Sequence, residues 1–129
     1  MSVQRYRFID FANSYNQLTE KSTDKVKIKL NSKNCKHFVE RFESRVSSDL
    51  KDFDAFLTRL PTLIQQHKSR ILSVGSKLAV DSGEGDYTIH YLKNHSICIT
   101  LRRYYSIVYD ESTILMTFTT IKPTFQQKF

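Results

Sequence analysis

The sequence has no tryptophan and only two cysteines, two prolines and three glycines among its 129 residues. The cysteines, Cys35 and Cys98, form no C-x-x-C pair, and no histidine or carboxylate stands at metal-finger spacing from either of them. A structural zinc site is therefore not expected, and neither is any other metal or cofactor. We expect two free thiols and a reducing, cytoplasmic location, that of the host cell if a phage encodes the chain.

Long apolar runs and targeting segments are also missing. No run approaches the roughly 20 residues of a membrane-spanning helix, and no secretory signal pattern opens the chain. The basic residues are spread through all segments and are not gathered in one amphipathic helix that carries tryptophan. A membrane partner is therefore not expected.

Positive charge is what the chain has in excess. Twenty Lys and Arg residues stand against thirteen Asp and Glu, which gives a net charge of +7. Such a field on a small domain attracts polyanions, so nucleic acid is the leading partner class. The alternative is an ordinary basic surface, because a pI near 9.5 is common among small proteins.

The first part of the chain predicts two helices around one strand. In residues 5–21 the apolar side chains recur at three and four residues, as in an amphipathic helix. They are Phe8, Phe11, Ala12, Tyr15 and Leu18. Residues 25–30 alternate apolar side chains with lysine, which predicts a strand whose cationic face either protects a sheet edge or follows RNA. A second helix should run to Val46, capped by Asn31 or Ser32.

A third helix is predicted after Ser48, with Phe53 and Ile64 at the two ends of its apolar stripe. Pro61 falls inside this stripe and should kink the helix or begin a new one. After Arg70 the period changes to two, which predicts strands. They cover 71–74, 77–80, 87–92, 96–102, 104–109 and 114–121, with turns at 82–86, 93–95 and 110–112.

This order of elements predicts a single α+β domain over residues 1–129. We expect the N-terminal helices to pack on one face of a twisted antiparallel β-sheet, because consecutive strands joined by short turns form a meander.

Candidate chemistry lies on the second helix. His37, Arg41 and Arg45 recur every four residues, so they share a sector of roughly 80° on the helix. Cleavage of RNA by its own 2′-hydroxyl needs proton transfer, which an imidazole supplies, and cations on the phosphoryl oxygens, which guanidiniums supply. The alternative is a solvated polar face with the arginines paired to Glu40 and Glu43.

Other candidate residues lie further along the chain. We expect His67 to end the third helix, where the helix dipole favours an imidazolium and where it is a candidate second catalytic group. On the strands, whichever of two adjacent arginines joins the face of Thr88 and His90 could meet a phosphate. The candidates for RNA contact are His90, Arg102, Arg103, Lys68, Arg70 and Thr119. The tyrosines either stack on bases or form part of the core.

The run from His37 to Arg45, HFVERFESR, resembles the H-x-x-[DE]-R-x-x-x-R helix of RegB endoribonucleases of phages, within the RelE-like superfamily. The order of elements over residues 5–121 is similar as well. The resemblance implies a metal-independent cut in mRNA that leaves a 2′,3′-cyclic phosphate, with His37 as the first histidine. The position of the second is Leu57 here, so the resemblance leaves that role to His67 or His90 and keeps Arg41, Arg45 and Arg102 as stabilising cations.

Three functions are compatible with these observations. The first is an endoribonuclease acting on single-stranded RNA or mRNA, alone or with the ribosome. The second is a nucleic-acid-binding protein that cuts nothing and loses affinity steeply with salt. The third is a small regulator that grips an acidic protein, such as an antitoxin or a host protein, through its basic face.

Overall fold

The computed structural model describes residues 2–20 and 25–124. They form α1 (Val3–Glu20), β1 (Val26–Ile28), α2 (Ser32–Arg45), α3 (Leu50–Ser76), β2 (Glu84–Tyr91), β3 (His95–Ser106) and β4 (Glu111–Pro123). The α+β class and the order of helices before a sheet are confirmed. The predicted end of the first helix, at residue 21, lies outside the described residues.

Aromatic side chains from the three helices meet in one core. Phe8 of α1 stacks on Phe38 of α2 with ring centroids 5.6 Å apart, and Phe42 meets Phe53 of α3 at 5.0 Å. These positions lie on the apolar stripes that the sequence predicts. Leu18 is 75% exposed, so the prediction that placed it in the apolar stripe of α1 was wrong. The core is thus built where α1, α2 and α3 converge on the sheet.

The sheet has four strands in the order β1-β4-β3-β2 among the described residues. The pairs β2–β3 and β3–β4 are antiparallel, but β1 pairs with β4 in parallel, so the prediction of a purely antiparallel sheet was wrong. Alternation predicts a strand and its two faces, but it contains no information on the direction of the neighbouring strand. The helices cover the face of Ile97, Ile99 and Leu101; Cys98 and Thr100 lie on the opposite face, which we call the open face.

The third helix is longer than the sequence predicts. It runs unbroken from Leu50 through Pro61 to Ser76, and the strands predicted at 71–74 and 77–80 do not exist. In this segment Ile71 and Gly75 are buried four residues apart, the spacing of a helix. An Ile-Leu-Ser-Val run is typical of a strand by propensity, and the packing of α3 on the sheet overrides that preference.

Gly75 allows α3 to approach β4 closely. A Cβ atom at this position would lie 2.4 Å from Cδ1 of Ile114, closer than any van der Waals contact. A glycine inside a helix costs roughly 1 kcal/mol relative to alanine, and here that cost is offset by the close packing. The contact fixes the C-terminal half of α3 against the sheet.

Strand boundaries shift by a few residues from the predictions. The two strands predicted at 96–102 and 104–109 form the single strand β3, and β2 begins at Glu84, inside the predicted turn. The register shifts between Cys98 and Ile99, where Thr119 is the extra residue of a bulge in β4. Within the described residues, no helix combines the length and the apolar character that crossing a bilayer requires.

Candidate functional site

The row of basic side chains on α2 is exposed, as its spacing predicts. Asn31 caps the helix by accepting from the backbone N–H groups of Lys33 and Asn34. The buried stripe of α2 ends with Phe42, and the sector beside it faces solvent. We call His37, Arg41 and Arg45 the α2 row; all three are exposed.

The first two members of the α2 row touch. Nε of Arg41 donates to Nε2 of His37 at 3.4 Å. A hydrogen bond in this direction corresponds to the His37 tautomer in which Nε2 accepts and Nδ1 carries the hydrogen. An unprotonated nitrogen at a solvent-facing position is what a general base requires, although Arg41 occupies it here.

Arg45, in contrast, is tied to the sheet. Its Nη1 donates to the carbonyl of Ile121 in β4 at 2.9 Å. The carbonyl of Arg45 itself accepts from Nε2 of His95, at the start of β3, at 3.0 Å. The C-terminal end of α2 is thus fixed to two strands, while the contact between His37 and Arg41 lies within the helix.

His95 falls in the turn predicted at 93–95 and has no predicted role. It opens β3 directly after the turn and is half-buried beside the end of α2. Fifty residues separate it from Arg45, so no local pattern indicates this contact. Among the described residues, it is the one imidazole besides His37 that forms a hydrogen bond with the α2 row.

His67 lies elsewhere. It sits inside α3, which continues to Ser76, so its predicted place at the helix C-terminus was wrong. Nδ1 of His67 is 2.7 Å from the hydroxyl of Tyr87 in β2. Burial lowers the pKa of His67, and the positive charge of Arg70 lowers it further. Because α2 packs on β4 and β2 is two strands away, the structure does not bring His67 to His37.

The strand candidates are also dispersed. His90 and Arg102 share the open face, but they stand opposite Ser96 and Glu84, at the two ends of β2. Arg102 forms an ion pair with Glu84. The two are therefore separated by roughly 20 Å along the strand, too far to hold one phosphate.

The remaining candidates for RNA contact lie on different elements, and two of them are engaged in hydrogen bonds. Arg103 lies on the helix side, where it donates to the Ser112 hydroxyl at 3.2 Å. Thr119 donates to the carbonyl of Cys98 at 3.0 Å, at the bulge. Lys68 is half-buried on α3, and Arg70 is exposed on the same helix.

Two of the three lysines on the predicted lysine face of residues 25–30 pair with carboxylates. Lys25 pairs with Glu111 at 3.3 Å, and Lys27 pairs with Glu20 at 3.5 Å. Both pairs line a groove of about 710 Å³ beside β1. Of the two interpretations of this face, the pairing favours edge protection over an RNA track, because a lysine held by a carboxylate contributes little to phosphate binding.

The two cysteines lie in different elements, α2 and β3. Cys35 and Cys98 are both free. In residues 2–20 and 25–124, no three His, Cys, Asp or Glu side chains gather in a way that could hold a metal ion.

No protein-family model matches the chain, and no curated protein and no solved structure is significantly similar to it. The resemblance to RegB therefore depends on the motif of α2 and on the order of the elements.

Proposed function

We propose that this chain is a metal-independent endoribonuclease that binds single-stranded RNA or mRNA along the α2 row. The observation that carries the proposal is the contact between His37 and Arg41 on the exposed face of a strongly basic domain. It sets an unprotonated imidazole nitrogen beside a guanidinium, the two groups that 2′-hydroxyl attack requires. The RegB-like motif of α2 supports the same assignment.

Binding of a phosphate would activate His37. A phosphate offers Arg41 two charged acceptor oxygens, which bind a guanidinium more strongly than a neutral imidazole does. Arg41 then turns to the phosphate and leaves Nε2 of His37 open to the 2′-hydroxyl. Arg45 holds the neighbouring phosphate through the N–H groups that Ile121 does not use.

In the reaction, Nε2 of His37 takes the proton of the 2′-hydroxyl as its oxygen attacks phosphorus. The bond between phosphorus and the 5′-oxygen breaks, and that oxygen takes a proton from water. The products are a 2′,3′-cyclic phosphate and a 5′-hydroxyl end. Arg41 stabilises the negative charge that grows on the phosphoryl oxygens.

One observation favours a second candidate, RNA binding without cleavage. His95 meets the α2 row at Arg45, eight residues and about 12 Å along the helix from His37. This span exceeds one phosphodiester, so the two imidazoles cannot act as base and acid at the same bond. A protein with only one proton-transfer group at the scissile phosphate either cuts slowly or only binds.

The test is incubation of the purified protein in EDTA with end-labelled mRNA of mixed sequence. We expect discrete cuts with cyclic-phosphate ends, and cleavage reduced by about 10² to 10⁴ in His37→Ala, as for loss of a general base. Lys77→Ala is the control, because it removes an exposed positive charge on the turn after α3. Equal cleavage by His37→Ala and the unchanged protein would overturn the assignment.

The same samples separate binding from cleavage. If the RNA stays full-length in every sample, its affinity decides between the candidates. Two results together would establish the second candidate. The affinity for RNA falls steeply as salt rises, and Arg41→Ala lowers that affinity more than Lys77→Ala does. Absence of both cutting and binding would remove RNA as the partner.

A further inference from the structure

The two edges of the sheet differ in how their backbone groups are satisfied. On the side of β1, the side-chain amide of Asn16 bonds both the N–H and the carbonyl of Ile28, each at 2.8 Å. Further along that side, Arg45 occupies the carbonyl of Ile121, and Pro123 has no N–H to offer. These devices block the addition of another strand.

The opposite edge is β2. Ile114 and Met116 of β4 form their backbone hydrogen bonds with β1, so the residue between them directs its N–H and C=O at β3. The direction of these backbone groups alternates from residue to residue along β3. As a result, the N–H and C=O of Ile99 point at its partner Tyr87 in β2. The intervening residues of β2 therefore direct N–H and C=O away from the sheet. These residues are Glu84, Asp86, Thr88 and His90, and all four are exposed.

No hydrogen bond within the described residues satisfies these outward groups. An edge strand with a free row of N–H and C=O groups is a template for another strand. The protein thus closes one edge of its sheet with side chains and leaves four residues of the other edge open. Such asymmetry is expected where one edge has a partner.

We propose that β2 pairs antiparallel with β2 of a second copy of this chain, about a two-fold axis, to form one continuous eight-stranded sheet. With Thr88 on the axis, Asp86 of each copy lies opposite His90 of the other on the open face. Residues opposite each other in an antiparallel pair have Cβ atoms about 5 Å apart, within reach of a bond from imidazole to carboxylate. The pair occurs twice in the dimer.

Charge selects this register over its neighbours. With Asp86 on the axis, two carboxylates would oppose each other and repel. With Tyr87 on the axis, Glu84 would oppose His90, but Glu84 is already paired with Arg102. Asp86 has no ion pair among the described residues, so the Thr88 register satisfies a group that the monomer leaves unpaired.

The helix that lies over β2 does not prevent a second copy from approaching this edge of the sheet. Phe56 meets Tyr91 and His67 meets Tyr87, so the middle of α3 runs alongside β2. Between Arg59 and Arg70 the exposed residues of α3 are uncharged. They are Pro61, Thr62, Gln65, Gln66 and Ser69. Lys68, the one lysine in this stretch, is half-buried, so two antiparallel α3 helices related by the axis bring no fully exposed like charges together at its centre.

Sedimentation velocity on the full chain tests the pairing. We expect twice the 15.2 kDa monomer mass as the concentration rises to about 300 µM, since dimerisation follows mass action. Thr88→Pro removes an N–H that β3 does not use, and proline is tolerated on an edge strand, so this variant should fold and stay monomeric. Thr88→Val keeps the N–H and should dimerise like the unchanged protein.

A charge exchange tests the register. Asp86→Lys should raise the dissociation constant about tenfold, because the symmetric dimer loses two exposed pairs of imidazole and carboxylate. Combining it with His90→Asp restores opposite charges across the axis and should restore the dimer. A chain that stays monomeric throughout, or a dimer that Thr88→Pro leaves intact, would overturn the proposal; far-ultraviolet circular dichroism verifies that each variant is folded.

Discussion

The amide of Asn16 is predicted to be one of the most important polar side chains for stability. It bonds both outward backbone groups of Ile28, a residue that is 2% exposed. Asn16→Ala leaves a buried N–H and a buried carbonyl without a protein partner. Each such group costs about 1 to 3 kcal/mol, and the higher helix propensity of alanine offsets about 0.5 kcal/mol. We expect the free energy of unfolding to fall by about 1.5 to 5.5 kcal/mol.

Urea unfolding, followed by circular dichroism, measures this loss as a lower midpoint at unchanged slope. Asn13→Ala is the matched control, since Asn13 is exposed on the same helix, and it should change stability by less than about 0.5 kcal/mol. A loss below about 0.5 kcal/mol in Asn16→Ala would refute the reasoning, because it would mean that Ile28 does not depend on this amide.

Two further predictions separate residues that hold the fold from residues that meet RNA. Arg45→Ala should lower the free energy of unfolding by about 1 to 2 kcal/mol, because the carbonyl of Ile121 loses a charged donor. Arg41→Ala should change it by less than about 0.5 kcal/mol. Equal losses of the two variants in urea unfolding would contradict this. Burial lowers the pKa of His67 in the folded chain, and the positive charge of Arg70 lowers it further. The unfolded chain therefore binds the proton more readily, and stability falls as the pH drops below about 6.5. His67→Gln should lose less stability than the unchanged protein between about pH 7.5 and 5.5, and equal losses would show that His67 does not carry the effect.

The helix of the candidate site was predictable because its determinants are local. Asn31 caps α2 within three residues of the groups it bonds, and the stripe from Cys35 to Phe42 repeats at helical spacing. His37 and Arg41 are then neighbours by geometry alone, since residues four apart on a helix meet. Sequence reasoning thus reaches the side chains that depend on one helix and no further.

The contacts that sequence reasoning missed are those between distant segments. His95 meets Arg45 only because β3 and the end of α2 arrive at the same end of the sheet. The parallel direction of β1 has the same origin, since its partner β4 lies more than 80 residues later. The strand predicted at 71–74 was wrong for a different reason: strand propensity opposed the burial of one helix face, and burial prevailed.

The α2 row is divided by these contacts into a fixed part and an exchangeable part. Arg45 donates to a backbone carbonyl of β4, so moving its Nη1 away costs a bond that holds the helix on the sheet. Arg41 donates at 3.4 Å to a neutral ring on its own helix, so moving it costs little. A phosphate therefore displaces the contact of Arg41 and not that of Arg45. The same event opens Nε2 of His37, so in the proposed reaction the binding of a substrate phosphate makes the base available.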